Sequence, residues 1–151
     1  MFEPGHETDR KPPFRFAAYT RVGFSDTDAQ GVVYYGRYLP YFDLARTEYH
    51  RRLGPPRAAG PTQFVMRALN VEYHAPARFD DLLEVFVRVA RVGRTSMTYE
   101  FAAYRLGPGE EESLMVTASQ TNVLISHHDR RPVPVPDDLR AALSTAEGAP
   151  L

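Results

Sequence analysis

One segment decides which fold this chain is expected to adopt: residues 24–54, which read FSDTDAQGVVYYGRYLPYFDLARTEYHRRLG. In its second part, apolar residues recur at spacings of four, three, four and four, at Tyr38, Phe42, Ala45, Tyr49 and Leu53. Such spacing keeps these side chains on one face of a helix. Gly54 and the two prolines after it end the pattern, because neither residue type continues a helix. The segment therefore predicts one helix of about 15 residues.

Strand-like sequence lies on both sides of this helix. Residues 14–22 alternate, with Phe14, Phe16, Ala18 and Val22 on one predicted face. After the helix, alternating apolar and polar residues and intervening turn signals predict four longer strands, at 64–73, 83–90, 95–105 and 114–125. We expect these four to form an antiparallel meander. A second short helix is predicted at 136–144, after an extended segment with alternating prolines.

The order of these elements predicts an α+β domain in which a long antiparallel sheet wraps around one helix. One helix covers only part of such a sheet, so we expect a second subunit to cover more of it. The domain is expected to span residues 14–140. Residues 1–13 and 141–151 are polar, contain proline or glycine, and are expected to be flexible ends.

Composition excludes several classes of function. A net charge of -1 provides no field that would attract nucleic acid. The absence of cysteine excludes disulfides, thiolate nucleophiles and Cys-ligated zinc. Neither a signal peptide at the N-terminus nor an apolar run of about 20 residues is present. We therefore expect a cytoplasmic protein of one domain.

The densest group of chemically useful residues lies at 24–36, between the first predicted strand and the helix. Asp26 and Asp28 could act as acid, base, nucleophile or metal ligand. Gly31 and Gly36 allow the backbone to approach a ligand closely, and the helix N-terminus offers N–H groups for a developing oxyanion. A carboxylate beside a helix N-terminus is one arrangement that suits acyl transfer.

Two other interpretations fit part of the same segment. Asp-Thr-Asp before a helix is more often an Asx-turn or a helix cap than a catalytic pair. A calcium loop would use Asp26, Asp28 and Gly31, but its last position falls on Arg37, where a bidentate glutamate is needed.

His127 and His128 lie in a predicted polar turn without a third ligand. We therefore expect no metal site.

Residues 24–54 resemble the signature of hotdog-fold thioesterases of the 4-hydroxybenzoyl-CoA thioesterase branch. The family pattern joins an aromatic residue, two aspartates, glycine, valine and a second aromatic residue to a helix with an Ala-Arg-x-Glu run. The matching positions here are Phe24, Asp26, Asp28, Gly31, Val32, Val33, Tyr34, Tyr38 and 45–48. Residues 71–83 resemble the family's junction between its second and third strands. The resemblance covers about 14–126.

The resemblance implies an enzyme that hydrolyses an acyl-CoA thioester to a free acid and coenzyme A. Asp28 takes the place of the catalytic carboxylate, which attacks the thioester or activates water. The backbone N–H of Tyr35 takes the place of the oxyanion donor, and Gly31 shapes the loop. Coenzyme A thioester is the substrate, and no cofactor is implied. The family also implies a homo-oligomer, either a dimer or a tetramer built as a dimer of dimers, with the site at a subunit interface.

Three further carboxylates remain secondary candidates. Asp26 could change the ionisation of Asp28 or hold the loop. Asp43 and Glu48 lie on the predicted helix, where some related enzymes place the acid, and the family often has Glu at the position of Asp43. Glu48 is also spaced to pair with Arg51 or Arg52 on the helix surface.

Other functions on the same scaffold stay open. An acyl-ACP thioesterase differs only in the carrier, and a dehydratase would need a histidine such as His50. A regulator could bind acyl-CoA without turnover. Arginines at 67, 78, 88, 91 and 94 are candidates for coenzyme A phosphates, because guanidinium binds phosphate with two hydrogen bonds.

Overall fold

A six-stranded antiparallel sheet and two α-helices form the domain, as a computed structural model of residues 3–54 and 61–151 shows. The elements are β1 Gly5–Glu7, β2 Phe16–Arg21, α1 Tyr38–Arg52, β3 Thr62–Tyr73, β4 Leu82–Val92, β5 Ser96–Leu106, β6 Glu112–Ser126 and α2 Asp137–Glu147. Short 3-10 turns occupy Phe24–Asp26, Tyr35–Arg37 and Pro108–Glu110. The predicted α+β class is confirmed. The prolines expected to end the first helix lie outside the described residues.

The strands lie in the order β1-β2-β4-β5-β6-β3. The meander prediction is correct for β4, β5 and β6, which pair in sequence, but wrong for β3. β3 pairs with β6 at the far edge of the sheet. Residues 74–81 carry the chain from one edge to the centre, and such a crossing is longer than the connection of a hairpin.

Helix α1 lies on the inner face of the curved sheet, mainly over β2 and β4. Its buried residues include Phe42, whose ring stacks on Phe101 with centroids 4.8 Å apart. Burying an aromatic side chain of this size contributes about 1.5–3 kcal/mol. The predicted helix and its apolar face are therefore confirmed, and this burial fixes the position of the loop before α1.

Strand β3 contains one extra residue, Arg67, where the register with β6 shifts between Met66 and Ala68. Side chains on a strand alternate between faces, so an extra residue reverses the alternation. As a result, apolar residues on both sides of the bulge lie opposite inner-face residues of β6; they are Phe64, Met66, Leu69, Val71 and Tyr73. Because α1 lies over β2 and β4, this apolar face of β3 is only partly covered.

The N-terminal segment covers the outer face of the sheet. β1 pairs with β2, and the Arg10 guanidinium pairs with the fully buried carboxylate of Glu84. The His6 imidazole lies 2.7 Å from the same carboxylate. Phe14 packs against Phe86 on this outer face, so the prediction that it shares a face with Phe16 and Ala18 is wrong. A strand and two contacts with a buried carboxylate thus occur where the sequence predicted a flexible end.

Helix α2 extends to Glu147, beyond the predicted limit of 144 and into the segment expected to be a flexible end. The Glu147 carboxylate accepts hydrogen bonds from the Tyr49 hydroxyl at 2.5 Å and from the Val89 N–H at 3.0 Å. These bonds join α2 to α1 and β4. Among the described residues, none of the helices has both the length and the apolar character needed to cross a membrane.

Candidate active site

The segment before α1 folds into a small hairpin. Thr27 pairs with Val33, the Asp28 N–H donates to the Val32 carbonyl at 2.8 Å, and the Tyr34 N–H donates to the Asp26 carbonyl at 2.9 Å. Gly31 occupies the turn with φ 78°, a left-handed conformation that favours glycine. The backbone of the hairpin is therefore determined by its own hydrogen bonds.

Asp28 lies half-buried at the end of this hairpin. Its Oδ1 accepts a hydrogen bond from the Gln30 N–H at 2.8 Å and a longer one from the Val32 N–H at 3.4 Å. This is the Asx-turn that the sequence allowed. Both donors contact the same oxygen, and Oδ2 has no donor among the described residues. The turn therefore fixes the carboxylate and leaves one oxygen available.

Asp26 has a different environment, because its carboxylate points toward α1. Its Oδ2 accepts hydrogen bonds from the Tyr41 hydroxyl at 2.7 Å and from the Gly23 N–H at 3.0 Å. Burial raises the pKa of Tyr41 well above its usual value, and the bond to Asp26 raises it further. Tyr41 therefore stays a neutral donor. These contacts support the expected loop-holding role of Asp26.

The turn Tyr35–Arg37 precedes α1 and begins with two unpaired donors. The N–H groups of Tyr35 and Gly36 come first in the turn and have no acceptor among the described residues. The Tyr73 hydroxyl donates to the Tyr35 carbonyl at 2.9 Å and so attaches the turn to the end of β3. Tyr35 is 62% exposed, which leaves this end of the turn accessible.

Asp28 and Tyr35 belong to the same hairpin but do not lie opposite each other. Asp28 is bonded across to Val32, three residues before Tyr35. Extended backbone of that length spans at most about 10 Å. Asp28 and the N–H groups at the start of the turn therefore lie on neighbouring parts of one loop.

The two candidates on the helix lie outside this hairpin. The Asp43 carboxylate accepts a 2.9 Å hydrogen bond from Arg46 on the helix surface. Glu48 lies 3.4 Å from Arg51, as its spacing predicted, and its Cβ is beside Gly5 of β1. Neither carboxylate is brought to Asp28.

His50 lies on the second half of α1, away from the hairpin. It forms a 2.6 Å hydrogen bond with the Tyr99 hydroxyl, and burial lowers its pKa to about 4. The imidazole is therefore neutral at physiological pH. His74 lies 3.1 Å from the Thr117 hydroxyl. Within residues 3–54 and 61–151, no three His, Cys, Asp or Glu side chains are arranged to hold a metal ion.

Two residues of the site were missed by the sequence analysis. Tyr41 contacts Asp26 from 15 positions away, and Tyr73 contacts Tyr35 from 38 positions away. No local pattern links residues at such separations. The only signal for Tyr41 was its position beside Phe42 on the apolar face of the helix.

Comparison with known proteins identifies the family of this chain. The sequence model of the thioesterase superfamily matches residues 30–112, more than half of the chain. The chain belongs to the thioesterase superfamily. The match begins two residues after Asp28, which therefore lies just outside it.

Relatives in the same superfamily include proteins whose names specify acyl-CoA. The acyl-CoA thioesterase YbgC of Haemophilus influenzae is 33% identical over 132 residues, which cover 84% of this chain and 93% of that protein. The acyl-CoA thioester hydrolase YbgC of Escherichia coli is 40% identical over 82 residues. That second match covers 52% of this chain and 61% of the relative, less than two thirds of its length.

This member of the thioesterase superfamily also has the predicted hotdog fold. A mutant of 4-hydroxybenzoyl-CoA thioesterase, crystallised with 4-hydroxybenzoyl-CoA, superposes with a TM-score of 0.78 at 22% identity. The superposition covers 85% of this chain and 97% of that protein. At this identity the likeness shows the fold, and the fold class inferred from the sequence is confirmed.

Proposed function

We propose that this protein hydrolyses an acyl-CoA thioester to a free acid and coenzyme A, and that Asp28 is its catalytic carboxylate. One observation carries the proposal: the Asp28 side chain is fixed through Oδ1 while Oδ2 remains available. A carboxylate held in this way is preorganised for attack or for general-base catalysis. The names of the YbgC relatives support acyl-CoA as the substrate.

The proposed reaction needs only groups that this chain supplies. The Asp28 carboxylate either attacks the thioester carbonyl, forming a mixed anhydride that water then hydrolyses, or removes a proton from the attacking water. The carbonyl oxygen gains negative charge and is stabilised by the N–H groups of Tyr35 and Gly36. The carbon–sulfur bond breaks and coenzyme A leaves as its thiolate, which takes up a proton. A thioester is already an activated acyl group, so the proposal includes no cofactor.

The test compares thiol release from a panel of acyl-CoAs by the wild type, Asp28→Asn and Asp43→Asn. Asparagine keeps the shape of aspartate and removes its charge. We expect Asp28→Asn to lower kcat by about 100-fold or more, while Asp43→Asn stays within about threefold of the wild type. Thermal unfolding of each variant shows whether the fold is kept.

The other results each contradict part of the proposal. Full activity in Asp28→Asn would place the acid elsewhere, with Glu48 as the next candidate. No activity in the wild type toward any acyl-CoA would leave two alternatives, an acyl-ACP enzyme and a regulator that binds acyl-CoA without turnover. Assays with acyl-ACP, together with calorimetric titration of acyl-CoA, separate these two.

A homo-oligomer is the second part of the proposal. β3 forms the edge of the sheet, and Met66 and Tyr73 on this strand are about half exposed. An edge strand with exposed apolar side chains is a surface that a second copy can pair with. Light scattering should give a mass of two or four times 17.1 kDa. The mass of a single chain would contradict this part.

A further inference from the structure

The Tyr73 side chain connects the end of β3 to the turn that precedes α1. Its hydroxyl donates a 2.9 Å hydrogen bond to the Tyr35 carbonyl, across 38 positions of sequence. Partial burial raises the pKa of Tyr73, and the nearby Tyr35 raises it further, so the hydroxyl keeps its proton at physiological pH. Within residues 3–54 and 61–151, no other side chain is bonded to the backbone of the turn Tyr35–Arg37.

Tyr73 is held in place by the sheet and by the core. It is the last residue of β3, where it pairs with Val116 of β6. Directly after it, the His74 N–H donates to the Met115 carbonyl at 2.8 Å. The Tyr73 ring packs edge-on against Tyr38, which is only 2% exposed, with ring centroids 5.8 Å apart. The position of the hydroxyl is therefore set by elements outside the turn that it contacts.

The Tyr35 carbonyl belongs to the same peptide unit as the Gly36 N–H. This peptide bond is trans, so its carbonyl and its N–H point in opposite directions. A hydrogen bond that fixes the carbonyl therefore also fixes the direction of the N–H, which points away from Tyr73. The Gly36 N–H has no acceptor among the described residues and is one of the two donors proposed for the oxyanion.

The backbone of the turn allows this peptide unit two orientations. The Arg37 N–H donates to the Tyr34 carbonyl at 2.8 Å, so residues 34–37 form a β-turn with Tyr35 and Gly36 at its centre. Turns of types I and II share this hydrogen bond and differ by a reversal of the central peptide unit. Type II needs a positive φ at the second central residue, which glycine adopts readily. Gly36 does not have a positive φ here, although its lack of a side chain would permit one.

We infer that Tyr73 is a positioning residue for the proposed reaction, because its hydroxyl holds the Tyr35–Gly36 peptide unit in the orientation that presents the Gly36 N–H to the oxyanion. The inference rests on the proposed function. The carbonyl oxygen of the substrate gains charge as the reaction proceeds, so this donor stabilises the transition state more than the bound substrate. Loss of the Tyr73 hydroxyl should therefore lower kcat and leave KM nearly unchanged.

The first test compares thiol release from acyl-CoA by the wild type, Tyr73→Phe and Tyr104→Phe. Tyr104→Phe is the matched control: its ring packs against Phe86 on the outer face of the sheet, and its hydroxyl has no hydrogen bond among the described residues. We expect Tyr73→Phe to lower kcat about three- to tenfold, the usual effect of losing one hydrogen bond between neutral groups. Its KM, and both constants of Tyr104→Phe, should stay within about twofold of the wild type.

Gly36→Ala tests the orientation of the peptide unit directly. Alanine disfavours the positive φ that a type II turn needs, so in this background the orientation no longer depends on Tyr73. The added Cβ would lie 3.3 Å from the Tyr34 ring, which is 46% exposed and can move aside. Tyr73→Phe should therefore lower kcat by no more than about twofold when it is added to Gly36→Ala.

A second measurement needs no substrate. Labelling with ¹⁵N-glycine gives one amide signal for each of the 10 glycines, and Gly36→Ala identifies the Gly36 signal by its loss. We expect Tyr73→Phe to shift or broaden this signal, because the peptide unit then exchanges between two orientations. Tyr104→Phe should leave it unchanged.

Each other outcome contradicts a definite part of the inference. An unchanged kcat in Tyr73→Phe, or an equal loss with Gly36 and with Ala at this position, would overturn the positioning role and leave the proposed hydrolysis intact. A raised KM together with a lower melting temperature would show that Tyr73 only supports the fold. A wild type that hydrolyses no acyl-CoA would remove the proposed function; a Gly36 signal unaffected by Tyr73→Phe would then overturn the control of orientation as well, and a shifted signal would support it.

Discussion

The Tyr41 hydroxyl donates a 2.7 Å hydrogen bond to the carboxylate of Asp26, which joins the hairpin of the candidate site to helix α1. Tyr41 is buried, so its hydroxyl has little access to water. Asp26 also accepts the Gly23 N–H. The position of the hairpin therefore depends on a contact with the core, whereas the Asp28 side chain is held, among the described residues, by backbone N–H groups of the hairpin itself.

A double-mutant cycle measures the strength of this contact. Tyr41→Phe removes the donor and leaves the ring, and Asp26→Asn removes the charge. We expect a coupling free energy of about 1–3 kcal/mol, because a hydrogen bond to a charged group in a buried position has about this value. Urea unfolding of the two single variants and the double variant gives the number. Additive losses would show that the two side chains do not interact.

The buried carboxylate of Glu84 predicts a large effect of removing Arg10. Arg10→Ala leaves Glu84 with His6 as its remaining side-chain hydrogen-bond partner within the N-terminal segment, and we expect a loss of about 3 kcal/mol in the free energy of unfolding. Lys11→Ala is the matched control. Its pair with Glu112 lies nearer the surface, so about 1 kcal/mol or less should be lost.

A second substitution tests whether the loss in Arg10→Ala comes from the unpaired charge of Glu84 or from lost packing. Glu84→Gln added to Arg10→Ala should recover part of the loss, because it removes the buried charge that lacks its partner. Chemical denaturation of both proteins is the measurement. Equal losses in Arg10→Ala and Lys11→Ala would mean that the N-terminal segment is held by its strand pairing alone.

His50 predicts a decrease in stability at acid pH. Its pKa is lowered from 6.5 to about 4 by burial, with a smaller effect from Arg46. Between these values the unfolded chain binds a proton that the folded chain does not, so stability falls as the pH falls from 6.5 to about 4. The contribution of His50 is complete above the unfolded pKa and is lost below the folded one. The total loss from this group is roughly 3 kcal/mol.

The measurement is the free energy of unfolding of the wild type and His50→Gln at several pH values. Glutamine can still bond to Tyr99 but does not titrate. The variant should be less stable at neutral pH, and the difference from the wild type should shrink as the solution is acidified through this range. A constant difference would show that His50 does not carry the effect.

The contacts of Glu147 predict that this residue helps to hold α2 against α1 and β4. Its carboxylate accepts bonds from the Tyr49 hydroxyl and the Val89 N–H, and burial raises the pKa of Tyr49 well above its usual value. Glu147→Ala leaves both donors without this acceptor, and we expect a loss of about 2–4 kcal/mol. Glu147→Gln keeps an oxygen acceptor and should lose less. Thermal unfolding of the two variants checks the order, and equal losses would contradict it.

Much of the fold could be predicted from the sequence because each element has a clear local period. The spacing from Tyr38 to Leu53 predicted α1, and alternation around Val85 predicted β4. Alternation tells which face a side chain occupies, but not which strand lies beside it. For this reason the place of β3 at the far edge was not predicted.

The N-terminal segment was not predicted for a different reason. Its attachment depends on Arg10 and His6 meeting Glu84, more than 70 positions away in the sequence. Glu84 lies on the polar side of the β4 alternation, which is typical of a solvent-facing position. Only the folded chain shows that this side is covered. The same limit applied to the contact between Tyr41 and Asp26 at the candidate site, whereas Asp28 and Tyr35 were predicted from the family resemblance of residues 24–54.

Because β3 contains an extra residue, the exact length of this strand determines which face its side chains occupy. Without Arg67, the side chains on one half of the strand would point to the opposite face. A single-codon deletion there would divide the apolar face of β3 between the two sides of the sheet, although every apolar residue would still be present. Insertions and deletions in this strand can therefore alter the surface at the edge of the sheet without substituting any of its apolar residues.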